Sequence, residues 1–215
     1  SLLLLCGWVN AQSIIFSENF ESVTPPALPA GWTTTGNTGS DKFKSGDSTT
    51  ASSTSFTIPS HTKFAFTNDD NCNCDKGSDI LQLPSINFIG KTNLSFKFSS
   101  FMSADANPLY QDTSYLETST NGGASWAKIF TLPKVAVWTI YNVNIGAYDN
   151  LPNVMFRFRY ADFGNWGYGV TVDDVAITGI SSPTPPCFFA KQMGGMSYDY
   201  GYSIAVDGSG NVYTT

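Results

Sequence analysis

Val154-Met155-Phe156-Arg157-Phe158-Arg159-Tyr160 sets an apolar side chain at every second position. Successive side chains of a strand point to opposite faces, so this spacing puts one face on a core and the other in water. Leu94-Ser95-Phe96-Lys97-Phe98 and Val170-Thr171-Val172-Asp173-Asp174-Val175-Ala176-Ile177 read the same way. Asn121-Gly122-Gly123, between Tyr115-Leu116-Glu117-Thr118 and Trp126-Ala127-Lys128-Ile129-Phe130, supplies residues that tolerate positive φ and predicts a hairpin. Every stretch of helical period is soon broken by Gly, Pro or a β-branched cluster. The expectation over residues 13 to 180 is an all-β sandwich.

Composition agrees with a folded domain. The 215 residues carry 17 acidic and 11 basic side chains, a net charge of −6, with 13% charged and 14% aromatic. That is too apolar for a disordered chain and too acidic for a phosphate-binding surface, so nucleic acid is excluded as the expected partner. One histidine, His61, rules out multi-histidine metal sites and leaves a single residue for any histidine-based triad.

Both ends read differently from the middle. Ser1 to Ala11 is a short apolar run whose Val9-x-Ala11 ending fits signal-peptidase cleavage, which predicts export with Gln12 as the mature N-terminus. Nothing else approaches the roughly 20 apolar residues of a membrane span. Ser181-Ser182-Pro183-Thr184-Pro185-Pro186 reads as an extended linker, because proline fixes φ and removes a donor. From Cys187 to Thr215 a new unit opens: Ile204-Ala205-Val206, a glycine-rich turn, then Val212-Tyr213. One hairpin buries too little to stand alone, so a longer protein is expected.

The motifs also carry a resemblance. Phe16-Ser17-Glu18-Asn19-Phe20-Glu21, Leu28-Pro29-Ala30-Gly31-Trp32, Asp79-Ile80-Leu81-Gln82-Leu83-Pro84, Thr118 to Trp126 and Gly169-Val170-Thr171-Val172-Asp173-Asp174-Val175 occur in one order. Together they resemble the jelly-roll domains called cleaved-adhesin or choice-of-anchor J, relatives of MAM domains. Residues 187 to 215 resemble the first unit of a bacterial β-propeller repeat. The resemblance implies a secreted or cell-surface module of a Bacteroidetes-type protein, non-catalytic, engaged in adhesion or recognition of a glycan or protein. The alternative it allows is an ancillary domain of a secreted, gingipain-like hydrolase whose catalytic part lies elsewhere.

Acidic residues offer the first candidate site. Glu18 and Glu21 are assigned to the first strand, and Asp173 and Asp174 to the last, two strands that lie close in a jelly roll. Clustered carboxylates repel unless protons or a cation compensate, and oxygen ligands suit calcium. The resemblance implies a structural calcium on Glu21 and Asp173, with Glu18 and Asp174 behind them. Because neighbours on a strand face opposite ways, only one of Asp173 and Asp174 is expected to reach it. The alternative is solvated strand ends without metal.

Asn68-Asp69-Asp70-Asn71-Cys72-Asn73-Cys74-Asp75 lacks the glycine and distal glutamate of an EF-hand, and zinc would want two more soft ligands. The readings left are a Cys72–Cys74 disulfide closing a small ring, or an Asn/Asp-rich turn bonding its own backbone. Hydrolysis would need a placed carboxylate pair, and Asp105, Asp112, Glu117 and Asp162 show no local mark of one. His61 has no nucleophile motif beside it and reads as a surface residue. Most aromatics read as core. In Asp162-Phe163-Gly164-Asn165-Trp166-Gly167-Tyr168-Gly169, however, a glycine-rich loop offers Trp166 and Tyr168 as ligand contacts, since loops run over surfaces.

Overall fold

Alternation at period two becomes two antiparallel sheets packed face to face. The computed structural model describes residues 12–104 and 111–181, with the backbone of 204–206 and 212–214. The expected leader 1–11, Asp105, Cys187 and most of the expected linker and tail lie outside the described residues. The strands are β1 (Gln12–Glu18), β2 (Thr33–Thr35), β3 (Lys44–Gly46), β4 (Phe64–Asn68), β5 (Asp79–Gln82), β6 (Lys91–Met102), β7 (Thr113–Ser119), β8 (Ala127–Leu132), β9 (Val135–Asn144), β10 (Met155–Ala161) and β11 (Gly169–Ser181). One sheet runs β3-β4-β11-β6-β9 with β1 also paired to β11; the other runs β2-β5-β10-β7-β8. The fold is an all-β, jelly-roll sandwich.

The inner faces meet in an aromatic core. Phe156, Phe158 and Tyr160 of β10 are fully buried, as are Phe96 and Phe98 of β6. Ring centroids lie 5.1 Å apart for Phe96 and Phe156 and 5.0 Å for Phe98 and Phe158. Tilted and edge-on pairs of this kind contribute roughly 0.5–1.5 kcal/mol each beyond area burial. A smaller cluster forms around Phe56, Phe64, Phe66 and Phe101, with Trp138 and Tyr168 packed against it.

The expected hairpin is present: β7 pairs with β8 across Asn121-Gly122-Gly123, with both glycines at positive φ. Two single-turn helices, α1 (Ser48–Ala51) and α2 (Asp69–Cys72), interrupt the strands. Asn68 caps α2 by accepting from Asn71 N–H, and Asn73 ends it in the left-handed region at φ 49°. The Asn/Asp-rich stretch thus becomes a capped helical turn, and Cys72 and Cys74 are joined as a disulfide.

Residues 182–215 form a second compact unit. In it β12 (Ile204–Val206) pairs antiparallel with β13 (Val212–Thr214), Ala205 opposite Tyr213.

Candidate functional site

Strand β11 changes partner along one edge. Gly169 to Val172 pair with Asn68 to Ala65 of β4, whereas Val175 to Ile180 pair with Glu18 to Gln12 of β1. Asp173 and Asp174 sit between the two partners, at a bulge against β6. Asp174 adopts φ 48°, and its N–H bonds Asp173 Oδ1 at 2.7 Å. A bulge re-aims side chains, so strict alternation fails here and both carboxylates serve one place.

His61 enters from the segment before β4. Its Nε2 lies 2.7 Å from Asp173 Oδ2, and its ring stacks on Trp138 with centroids 3.9 Å apart. The surface position expected for His61 is therefore corrected: Trp138 and Asp173 half-bury it. Burial pushes the Asp173 carboxyl up to about 8, opposed by the Asp174 N–H and aided by the charges of Asp174, Glu21 and Glu18. Burial also holds His61 below its ordinary value, against the pull of Asp174 and Glu21. Both shifts favour the neutral forms of the pair, with the imidazole tautomer deciding which of the two donates.

Ligand atoms of His61, Asp173 and Asp174 lie within 4.8 Å of one another. Glu18 and Glu21 are near enough for their charge to act on Asp173, but their carboxylates are engaged elsewhere. Glu18 Oε1 accepts from Phe20 N–H at 2.6 Å, and Glu21 Oε1 from Lys63 N–H at 3.2 Å. Glu21 is not on the first strand, because β1 ends at Glu18 and Phe20 turns the chain at φ 56°. The oxygens of Asp173 and Asp174 fit calcium, as does a buried acid surrounded by like charges; the His61 nitrogen suits zinc better.

A second concavity, about 310 Å³, lies between the α2 turn and the loop after β10. Trp166 is 58% exposed at its edge, and Asp69, Asn73, Asp75, Asp162 and Asn165 line it. The walls are held from behind. Asp162 accepts from the N–H groups of Lys76 at 2.7 Å and Gly164 at 2.9 Å. Asp69 accepts from Gly167 N–H at 2.6 Å, and burial raises its carboxyl to about 7, that N–H opposing and the Asp162 charge assisting. Tyr168 does not share Trp166's exposure: it packs on the smaller cluster, and its N–H bonds Asp112 at 3.0 Å.

The other carboxylates weighed for hydrolysis are tied into the fold. Asp112 accepts from Tyr160 Oη at 2.9 Å and contacts the Lys134 amine. Glu117 is buried between Arg157 and Arg159. No sequence signal marked His61 or Asp69 for these sites, since burial of a lone polar side chain follows from the folded chain.

Comparison with known proteins bears on the fold. The model of a family described as beta-propeller repeat matches residues 189–215. No curated protein matches the chain. Among solved structures, the K3 cleaved adhesin domain of Lys-gingipain from Porphyromonas gingivalis W83 superposes with a TM-score of 0.54 at 17% identity, over 78% of this chain and 99% of that one. The K2 cleaved adhesin domain of Lys-gingipain gives a TM-score of 0.54 at 14% identity, over 78% and 97%. At such identities the likeness establishes a shared sandwich architecture.

Proposed function

We propose that the chain is a non-catalytic recognition module, secreted or displayed at a cell surface, that takes an extracellular glycan or protein in the Trp166 cleft. The observation that carries this is Trp166 itself, a large aromatic left 58% exposed on a loop whose Asp162 and Asp69 anchors are buried and hydrogen-bonded. Exposing an indole is unfavourable unless something covers it, and a flat ring beside amide and carboxylate groups suits a sugar face or a protein side chain. The likeness to cleaved adhesin domains supports the architecture this reading needs, and the choice-of-anchor J or MAM-like assignment is proposed with it. The test is binding of the full chain to a printed array of polysaccharides and matrix proteins, wild type beside Trp166→Ala. A signal that the variant loses on any spot supports the reading; an array on which no signal depends on Trp166 removes the cleft as the ligand site.

Calcium belongs to the same proposal as a structural ion. Asp173 and Asp174 would hold it, with Glu21 and Glu18 turning in from their backbone contacts. When bound it supplies positive charge that lets the buried Asp173 ionise and ties the end of β1 to β11.

A further inference from the structure

The outer face of the five-stranded sheet carries an arrangement the Trp166 cleft does not use. Arg157 and Arg159 of β10 point away from the core, and the Glu117 carboxylate divides itself between them. Arg157 Nε donates to Oε2 at 2.7 Å and Arg159 Nε to Oε1 at 2.8 Å. Arg157 also lies over the Trp126 ring at 4.1 Å, and Arg159 over Tyr115 at 4.6 Å, with Lys128 over the same tyrosine at 5.1 Å. Both guanidinium planes are thereby fixed before any ligand arrives. Their Nε edges are occupied, while among the described residues their Nη groups meet no acceptor. The side chains remain 18% and 24% exposed.

Charge sets this face apart from the rest of the chain. The protein is −6 overall, yet these five strands put Arg157, Arg159 and Lys128 against Glu117 alone on the outer face. Neutral polar residues extend the same rows: Thr33 pairs with Gln82, which pairs with Arg157, which pairs with Glu117. Five strands at the usual spacing make a row of roughly 19 Å, enough for several sugar units. None of the large apolar side chains exposed elsewhere lies on these strands, and the Trp126 and Tyr115 rings are covered by the guanidinium groups, so the face offers polar edges rather than a free apolar anchor.

We infer that this face binds a carboxylate-bearing polysaccharide, with acid groups on the Nη edges of Arg157 and Arg159 and hydroxyls on the threonine and glutamine side chains beside them. Arginine suits the task because its planar fork meets a carboxylate with two parallel hydrogen bonds. The inference stands apart from the Trp166 cleft.

The experiment measures binding of the full chain to polygalacturonate, to its methyl ester, and to polyglutamate, at low and high salt. The acid polymer should bind, weaken as salt rises, and exceed the neutral ester by roughly tenfold or more. Polyglutamate should bind more weakly, because it offers charge without hydroxyls. Arg157→Lys with Arg159→Lys keeps the charge beside Glu117 but loses the fork, and should lose most of the binding with its melting temperature retained. Trp166→Ala should bind as wild type. Equal binding of acid and ester, or none, overturns the inference. Polyglutamate binding as tightly overturns the saccharide assignment, and loss on Trp166→Ala moves the contact to the cleft.

Discussion

Asp173 and His61 touch at 2.7 Å although 112 residues separate them in the chain. The contact exists because β11 has a gap in its pairing where β4 stops and β1 begins, and the segment carrying His61 runs up to that gap. A buried acid in the gap then has histidine on one side and the carboxylates of the β1 end on the other.

Calcium should raise the melting temperature of the chelated protein by several degrees, since binding to the folded state alone contributes about 2.7 kcal/mol at a hundredfold excess over Kd. Asp173→Asn should abolish the response, and Asp75→Asn, at the other cleft, should leave it intact. Thermal unfolding in chelator, calcium and zinc decides the matter. Stabilisation by zinc alone, lost on His61→Gln, would assign the site to a nitrogen-accepting ion; identical curves in all three would strike out the metal.

Stability should fall as pH rises from about 6.5 to 8 in chelator. Asp69 and Asp173 have folded values raised to about 7 and about 8 from 3.8, so the native state holds protons that the unfolded chain releases. Each stabilises least once pH passes its folded value. Together they cost about 2 kcal/mol across that window. His61 works in the opposite sense, its folded value lying below 6.5, so it offsets a little of the fall at the start of the window, until the unfolded histidine has also lost its proton. Melting curves of Asp69→Asn should show a shallower fall, and a pH-independent wild type would show that both acids ionise freely.

Lys76→Met should destabilise the fold by about 3–5 kcal/mol, the usual cost of stripping one partner from a buried ion pair. Lys76 and Asp79 are both fully buried, their charged atoms 3.0 Å apart, and Asp79 also accepts from Thr67 and Ser40. Adding Asp79→Asn should recover part of the loss, because the amide is neutral and can accept from one of the Thr67 and Ser40 hydroxyls and donate to the other. Denaturant titration of the single and double variants measures it.

Trp166→Ala and Tyr168→Ala should separate cleanly. The first removes an exposed ring and should move the melting temperature little, while the second opens a void against the smaller core cluster and should cost roughly 2–4 kcal/mol. Equal melting temperatures for the two variants would show that Tyr168 does not pack as described.

The strands were legible wherever one face is buried. In β10 and β6 a period-two pattern survives because Phe156, Phe158, Phe96 and Phe98 all face one core. Of the acids read as one group, Asp173 and Asp174 share a place with His61, whereas Glu18 and Glu21 bond backbone N–H groups nearby and reach Asp173 through their charge. What escaped were features that depend on a partner far away in sequence. Asp173 and Asp174 read as opposite-facing until the bulge at the change of partner is known. Nothing in the sequence singles out Lys76, and Asp69 reads only as part of an Asn/Asp-rich turn, since nothing local shows that Asp162 and Gly167 bond to them. Arg157 and Arg159 looked like ordinary outward residues because Glu117 comes from the neighbouring strand. The helical turns at 48–51 and 69–72 are too short to leave a period, and only the caps Asp47 and Asn68 hint at them.

The shared edge of β11 also orders events in time. A chain made from its N-terminus produces β1 first and β11 last of the sandwich strands, so Gln12 waits for Ile180 before it has a partner. β4 and β6 wait for the same strand, and their side of the sandwich closes only on its arrival. Pairings of such long separation form slowly, because a large loop must close before any contact rewards it. The module therefore assembles as a unit when its final strand is delivered, and a chain cut before Gly169 would leave the edges of β1, β4 and β6 open together.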